Sequence, residues 1–266
     1  MEGFNFKKSF GQNFINDHNI INKIINCSDI KENSLVIEIG PGSGNLTREL
    51  AKVSKYVLAY EIDDRLEDIL DENLVNYDNV KILFEDFLKS DLGNDIKGYD
   101  YEHLYITANI PYYITTPIIE KIVGSGIDFE NITLMMQKEV GDRLSAKPGS
   151  RNYGSITVFL NYYFDIKKQF IVSRNLFTPK PNVDSVVVTL TKKDGRKALN
   201  EECFFKLVRD AFQYKRKNIR NNLKNYDLTI IEEVLKKHNY DLNVRSEELN
   251  LDVFIDIADE LDKRTK

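Results

Sequence analysis

The sequence predicts an α/β protein in which a doubly wound, parallel sheet is followed by a small helical domain. From Leu35 to Met136, short apolar segments alternate with patterns of helical period, which is typical of a parallel sheet flanked by helices. The charged segment Lys192–Lys197 then precedes a tail in which apolar residues recur at helical spacing. The 266 residues are enough for one α/β domain with a full core and a small accessory domain. The predicted domains are residues 1–192 and 198–266.

The first predicted helix and strand lead to a glycine-rich loop. The segment Asn16-Asp17-His18 can cap an amphipathic helix that contains four isoleucines at helical spacing. The apolar strand Leu35–Ile39 runs directly into Gly40–Gly44, and a helical pattern follows from Leu46. Glycine allows a chain to turn sharply after a strand and to approach a ligand closely. The spacing E-x-G-x-G-x-G is not that of a nicotinamide-binding or phosphate-binding loop, and it places no lysine to reach a phosphate.

Acidic residues follow the next two predicted strands. Glu61 closes the strand Tyr56–Tyr60, about 20 residues beyond the first glycines, where a carboxylate can bind ribose hydroxyls. Asp86 follows the strand Val80–Phe84 and can accept a hydrogen bond from an adenine amine, while an apolar neighbour packs on the ring. Each acid alone could be a solvated loop residue, since the chain has 42 Asp and Glu residues. Three consecutive strands that end in suitable groups favour a nucleoside-binding site.

The fourth predicted strand ends in the tetrapeptide Asn109-Ile110-Pro111-Tyr112. Leu104–Ala108 is predicted to be a buried strand, and Thr116 with Pro117 can cap and begin the next helix. The tetrapeptide is therefore expected at the carboxyl end of a strand, where open α/β sheets bind their ligands. An asparagine there can hold an exocyclic amine, and the neighbouring aromatic ring can stack on the base. Alone, the four residues could equally be an ordinary proline-containing loop.

Four further segments occur in a characteristic order. They are Lys7–Ile15, Asn109–Pro117, Gln137–Val140 with Tyr153–Ser155 close behind, and Leu176–Ser185. Together with the glycine-rich loop, they resemble the ribosomal RNA adenine N6,N6-dimethyltransferase family, and specifically its small-subunit branch. The resemblance is continuous from about residue 7 to residue 190, and the helical tail also fits. It implies a Rossmann-like sheet that depends on S-adenosylmethionine (SAM), mostly parallel with one antiparallel strand, and a small C-terminal helical domain.

The resemblance also implies the roles of individual residues. Asn13 and Ile15 match SAM-binding positions, although Ile15 stands where the family usually has leucine. The other matched SAM-binding positions are Gly40, Gly42, Glu61, Ile62, Asp86, Phe87 and Asn109. The catalytic positions are Asn109, which would accept hydrogen bonds from the target amine, and Tyr112 and Phe177, which would stack on the extruded base. No metal is implied, because positioning governs methyl transfer from a sulfonium that is already a good leaving group.

The same resemblance accounts for the segments after residue 160. Methyltransferases of this class usually add an antiparallel hairpin strand, and Phe164–Val172 with Ser185–Leu190 fit that pair. Phe177 would then lie on the connection. The tail has two sets of apolar residues at helical spacing, which we expect in its core: Phe204, Phe205, Val208 and Phe212, then Leu251, Phe254, Ile255, Ala258 and Leu261.

The net charge of −5 is unusual for a protein that binds RNA, because phosphate contacts dominate such affinity. Between positions 206 and 224, however, seven basic residues occur with one acid, Asp210. We expect the densest part of this run to contact RNA, and we call it the basic cluster: Lys215, Arg216, Lys217 and Arg220. A solvated helix face is the alternative. Lys7 and Lys8, beside the expected pocket, can add to the surface.

Several other features limit the function classes. Cys27 and Cys203 match no disulfide or metal-binding spacing, and both are expected to be buried packing residues. The three histidines form no ligand motif, and neither a membrane-spanning apolar run nor a signal peptide is apparent. We therefore expect a cytoplasmic, metal-independent monomer that acts on small-subunit rRNA within a pre-ribosomal 30S particle.

Three functions compete at this stage. The favoured one is dimethylation of two adjacent adenosines near the 3′ end of small-subunit (16S) rRNA, with a role in ribosome biogenesis. The second is methylation of one adenosine of large-subunit (23S) rRNA, as in the macrolide-resistance branch. Phe10–Asn13 and Gln137–Val140 favour the first, since the resistance branch commonly has a serine before Gln12. The third is a non-enzymatic assembly or transcription factor, which the intact Asn109 and Tyr112 disfavour.

Overall fold

The computed structural model describes residues 13–110 and 114–265, and the chain forms two compact units. Unit 1 comprises Met1–Gly141 and Lys167–Lys192, and unit 2 comprises Asp142–Ile166 and Lys193–Lys266. The division expected from the sequence, 1–192 and 198–266, differs from this one in the segment 142–166. Aromatic side chains join that segment to the helical tail. The Tyr162 ring, for example, stacks on Phe204 with the ring centroids 4.7 Å apart.

Nine strands occur in the described residues. They are β1 (Phe14–Ile15), β2 (Ser34–Ile39), β3 (Tyr56–Glu61), β4 (Val80–Phe84), β5 (His103–Asn109), β6 (Asn131–Gln137), β7 (Phe164–Val172), β8 (Phe177–Thr178) and β9 (Ser185–Lys192). The main sheet has the order β4-β3-β2-β5-β6-β9-β7, and β1 pairs with β8 separately. Strands β2 to β6 pair in parallel, whereas β9 is antiparallel to β6. The mostly parallel sheet predicted from the sequence is confirmed.

Helices separate strands β1 to β7, and four further helices follow β9 within the described part of the chain. In chain order the helices are α1 (His18–Ser28), α2 (Asn45–Val53), α3 (Glu67–Leu74), α4 (Leu92–Asp95), α5 (Thr115–Gly124), α6 (Lys138–Leu144), α7 (Ser155–Tyr163), α8 (Glu201–Ala211), α9 (Ile219–Asn222), α10 (Leu228–Lys237) and α11 (Leu251–Thr265). Asp17 caps α1 as predicted, since its carboxylate accepts hydrogen bonds from the backbone N–H groups of Asn19 and Ile20. The predicted start of α5 is wrong by two residues, because the helix begins at Thr115 rather than Pro117 and its N-cap, Ile114, makes no side-chain cap.

The register of the sheet gathers the strand ends at one edge. β2 is central and completely buried, and Ile39 pairs with Tyr60 of β3 on one side and with Ala108 of β5 on the other. The residues that follow these pairs are Gly40, Glu61 and Asn109. Parallel pairing in this register therefore brings three groups together that are up to about 70 residues apart in the sequence.

The core of unit 2 is aromatic. Phe204 and Phe254 are fully buried, and Phe205 and Phe212 are partly buried against the same cluster, which confirms the expected core of the tail. The expected burial of both cysteines is wrong: Cys27 is half-buried, but Cys203 is exposed. Cys203 precedes Phe204 on α8, so it lies off the face that packs inward. Among the described helices, none combines the length and apolarity needed to cross a membrane.

Candidate active site at the carboxyl ends of the strands

The glycine-rich loop makes a sharp turn after β2. Gly40 has φ +74° and Gly42 has φ +60°, backbone conformations that glycine adopts without strain. The Gly40 N–H donates to the carbonyl of Tyr60 over 2.9 Å, which holds the loop against the end of β3. A Cβ at Gly40 would meet one described atom within 4 Å, the carbonyl oxygen of Asn109 at 3.8 Å. Among the described residues, only the end of β5 comes this near to the Cβ position of Gly40, so the backbone here is open to a close neighbour.

Glu61 is the carboxylate that organises this loop. Its side chain is buried, its Oε2 accepts from the Gly42 N–H at 3.1 Å, and its Oε1 accepts from the Asp63 N–H at 2.9 Å. Burial raises the pKa of Glu61, although these backbone hydrogen bonds act in the opposite direction. An ionised carboxylate has about four lone-pair sites, so the backbone hydrogen bonds leave capacity for a ligand hydroxyl.

The segment before α1 crosses the loop. The Asn109 Nδ2 donates to the carbonyl of Asn13 over 3.0 Å, and β1 pairs antiparallel with β8 so that Ile15 lies opposite Phe177. Asn45, the first residue of α2, donates through Nδ2 to the carbonyl of Ile15 at 3.2 Å. The structure thus brings together four predicted site residues from distant parts of unit 1. Asn45 was not predicted, although its position directly after the last glycine of the loop was an available signal.

The Asn109 side chain has a defined orientation. Because its Nδ2 donates to Asn13, the accepting end of the amide is Oδ1. The next residue, Ile110, is buried, and its N–H donates to the carbonyl of Met135 over 3.0 Å. The start of the tetrapeptide is therefore attached to β6. Tyr112, the second predicted catalytic residue, lies outside the described residues. Phe177, the third, is 4% exposed and packs in the core of unit 1.

The predicted adenine-binding residues lie at the ends of β3 and β4. The Asp86 Oδ1 accepts from the Leu88 N–H at 3.0 Å and so caps a short 3-10 turn. Phe87 is buried and packs edge-on against Tyr60, with the ring centroids 5.2 Å apart. Ile62 is 49% exposed. Of the two predicted apolar neighbours, Ile62 is therefore accessible to a ligand, whereas the Phe87 ring is covered by its packing against Tyr60.

A buried acid that the sequence analysis did not select also lies here. Glu38 is 1% exposed on β2, and its Oε2 has no hydrogen-bond partner within the described residues. Burial raises its pKa to about 8. The available signal was a single acid in an otherwise apolar strand, two residues before Gly40. In the segments 13–110 and 114–265, no group of three or more His, Cys, Asp or Glu side chains is arranged to hold a metal ion.

The basic cluster lies in unit 2. Its four side chains are exposed, on the segment between α8 and α9 and on α9 itself. None of the four forms an ion pair with the described acids. Arg196, by contrast, is paired with Asp256 and Asp259, and Arg264 is paired with Glu233. Four cations within six residues of chain, none of them paired with a described acid, make a surface that can bind phosphates.

The sheet order, the antiparallel β9 and the glycine-rich loop beside Glu61 define a Rossmann-like methyltransferase fold. A family model described as ribosomal RNA adenine dimethylase matches residues 3–263. The chain belongs to this family, and it is an rRNA adenine dimethyltransferase, as the sequence predicted.

Relatives and solved structures agree with this assignment. The "Ribosomal RNA small subunit methyltransferase A" of Lactiplantibacillus plantarum is 45% identical over 269 residues, which cover 97% of this chain and 91% of the relative. The dimethyladenosine transferase of Plasmodium falciparum has a TM-score of 0.81 at 27% identity, over 95% of this chain and 98% of that one. The 23S rRNA methyltransferase ErmE has a TM-score of 0.77 at 26% identity, over 94% of this chain and 100% of that one.

Proposed function

We propose that this enzyme transfers methyl groups from SAM to the N6 amines of two adjacent adenosines near the 3′ end of 16S rRNA. The observation that carries the proposal is the hydrogen bond from Asn109 Nδ2 to the carbonyl of Asn13, because it orients an amide acceptor beside the glycine-rich loop. The 45% identity to a small-subunit methyltransferase supports the choice of target. The pre-ribosomal 30S particle as substrate, action as a monomer and a cytoplasmic location are parts of the same proposal.

The residues at this edge of the sheet fit SAM. Glu61 has a lone pair left for a ribose hydroxyl after it accepts hydrogen bonds from the backbone. The space beside Gly40, which a Cβ would occupy, allows close approach to the backbone. We assign the adenine ring of SAM to the exposed face of Ile62 and to Asp86.

Asn109 would position the target amine. The N6 lone pair of adenine is delocalised into the ring, so the amine is a weak nucleophile unless its geometry is controlled. Asn109 Oδ1 would accept one N–H, and the backbone carbonyl of Ile110 would accept the other. Both hydrogen bonds favour a pyramidal nitrogen as the new N–C bond forms. When bound, SAM supplies a methyl group on a positively charged sulfur, which leaves as a neutral thioether.

No strong base is required by this arrangement. The amine proton becomes acidic only after the N–C bond has formed, and it can then leave to water.

Tyr112 would stack on the base. Phe177 is 4% exposed and packs in the core of unit 1, so its ring would have to leave this packing before it could stack as well. For the second methylation, the monomethylated amine returns with one N–H, and the pocket must hold a methyl group where a hydrogen bond had been.

Methylation of 23S rRNA remains the second candidate, because the chain has nearly the same fold similarity to ErmE as to the Plasmodium enzyme. Labelled SAM, offered with separated 30S and 50S particles, distinguishes the two. We expect label on two adjacent adenosines of 16S rRNA. Label confined to 23S rRNA would instead favour the second candidate.

The role of Asn109 is tested in the same assay. Asn109→Ala should lower the rate of methyl transfer by about 100-fold or more, the usual cost of removing one positioned polar group, and particle binding should largely persist. Asn175→Ala is the matched control, because Asn175 is an exposed asparagine of unit 1. Turnover of Asn109→Ala close to that of the control would show that this side chain does not hold the base.

A further inference from the structure

The loop between α8 and α9 in unit 2 has a fixed backbone. Asn222, a buried residue of α9, accepts from the Tyr214 N–H at 3.2 Å through Oδ1. Its Nδ2 donates to the carbonyls of Tyr214 and Lys217, each at 3.3 Å. The Lys217 N–H also donates to the Tyr214 carbonyl over 2.9 Å. A single buried side chain therefore holds both ends of the segment Tyr214–Lys217, and side chains on this segment start from a preorganised backbone.

Tyr214 is the exposed aromatic residue of this loop. Its side chain is 57% exposed, and neither its hydroxyl nor its ring has a partner in the part of the chain that the structure describes. The other tyrosines of unit 2 are engaged; for example, Tyr226 donates to Asp210 over 2.6 Å, and Tyr162 stacks on Phe204. Leaving a large apolar ring in water loses the free energy that its burial would contribute. Exposure alone does not imply a partner, because Val75 and Leu199 are more exposed, so the case for one rests on the neighbours of Tyr214.

The neighbours of Tyr214 identify the chemistry of that partner. Lys215, Arg216 and Lys217 follow it directly, all are exposed, and none is paired with a described acid. Cations alone suffice to bind the backbone of an RNA duplex. An aromatic side chain adds nothing there, because the bases of a duplex are stacked on each other and its major groove is too narrow for side chains. An exposed ring beside several exposed cations instead matches the way in which proteins hold unpaired nucleotides.

We propose that Tyr214 stacks on an unpaired base of the RNA substrate while the basic cluster binds the phosphates on either side of that nucleotide. The inference rests on the proposed function in assuming an RNA substrate, and it adds that unit 2 recognises a single-stranded segment. Tyr214 belongs to unit 2, whereas Asn109, which would hold the target adenine, belongs to unit 1.

Binding of a single-stranded oligoadenylate of about ten nucleotides tests the proposal without any methyl transfer. Tyr214→Phe should bind like the wild type, because stacking does not need the hydroxyl. Tyr214→Leu should bind about fivefold more weakly or worse, about 1 kcal/mol, with an unchanged salt dependence, since stacking releases no counterions. The control Lys215→Gln should lower both the affinity and the salt slope, the latter by about 0.7.

Two outcomes of that experiment overturn the proposal. Wild-type affinity of Tyr214→Leu would mean that the ring contributes nothing, and an equal loss in Tyr214→Phe and Tyr214→Leu would assign the effect to the hydroxyl. A failure of the proposed function looks different: the wild-type enzyme would then transfer no methyl group to 30S particles, whatever the oligonucleotide binding shows.

Fluorescence gives an independent readout, because the chain contains no tryptophan. Tyr214→Trp introduces a single indole, whose emission should be quenched by the oligoadenylate and not by a blunt RNA duplex of equal length. Val75→Trp is the control, since Val75 is 71% exposed in unit 1 and has acidic neighbours in the sequence. Equal quenching by single strand and duplex, or equal quenching of both variants, would refute stacking at position 214.

Discussion

Replacing Gly42 by alanine should destabilise unit 1 much more than replacing Gly40, although both glycines have positive φ. An L-residue in this region costs about 1–2 kcal/mol at either position. At Gly42 the new Cβ would also lie 2.5 Å from Cε1 and 2.7 Å from Cδ1 of Phe14. At Gly40 the nearest described atom is 3.8 Å away. The difference between the two variants therefore measures the contact with Phe14.

The magnitude depends on how freely the Phe14 ring can move. Phe14 is 7% exposed and packs with Leu66, Leu70 and Leu74, so it cannot turn into solvent without losing those contacts. Overpacking of this kind costs about 1–3 kcal/mol. We therefore expect a loss of about 2–5 kcal/mol in the free energy of unfolding for Gly42→Ala and about 1–2 kcal/mol for Gly40→Ala.

Urea unfolding followed by circular dichroism measures these losses, provided that the slope with denaturant is unchanged. Gly98→Ala is the reference for backbone strain alone, because Gly98 has φ +96° and no described atom within 4 Å of its Cβ position. Gly40→Ala should match Gly98→Ala in stability but bind SAM more weakly, since its methyl group enters the proposed ligand space. If Gly42→Ala were no less stable than Gly98→Ala, the Phe14 ring would move aside without cost, and overpacking at this position would be refuted.

Three further predictions concern other parts of the molecule. Glu61→Ala should weaken SAM binding at least tenfold by calorimetry, about 1.4 kcal/mol; unchanged binding by a folded variant would remove Glu61 from the site. Replacing the whole basic cluster with glutamine should weaken binding to 30S particles and reduce its salt slope by roughly 0.7 to 0.9 per lost phosphate contact, with SAM affinity unchanged; an identical slope would indicate a merely solvated surface. Burial opposes ionisation of Asp256, but hydrogen bonds from Arg196 and His238 outweigh it and lower its pKa below the normal 3.8. The ionised Asp256 therefore stabilises the fold above about pH 4, and this contribution is lost as the pH falls. Between pH 7 and pH 3, the free energy of unfolding should decrease less for Asp256→Asn than for the wild type.

The elements and the chemistry at their ends were predictable because they depend on local patterns. Apolar runs of strand length fix β2, β3 and β5, and the residue after each run is fixed by chain order alone. Parallel pairing then aligns the carboxyl ends whatever the details of packing. Glu61 and Asn109 could therefore be placed at one edge of the sheet before any contact was known.

Contacts between distant segments could not be predicted in this way. Asn13 and Asn109 are 96 residues apart, and nothing in either local sequence encodes the hydrogen bond that orients the Asn109 amide. The same holds for Asn45, which joins the loop to the segment before α1, and for Phe87, whose ring turns toward Tyr60 and is covered there.

By itself, the sequence determined the family, the order of strands and helices and the residue types at the strand ends, because each depends on spacing along the chain. Only the tertiary structure decided which side chains are covered and which are open, as it does for Phe177, Cys203 and Tyr214. It also placed the segment 142–166 with the helical tail. The physical reason is that burial depends on which surfaces meet after folding, and surfaces from distant segments meet according to their shape and apolar area rather than their position in the chain.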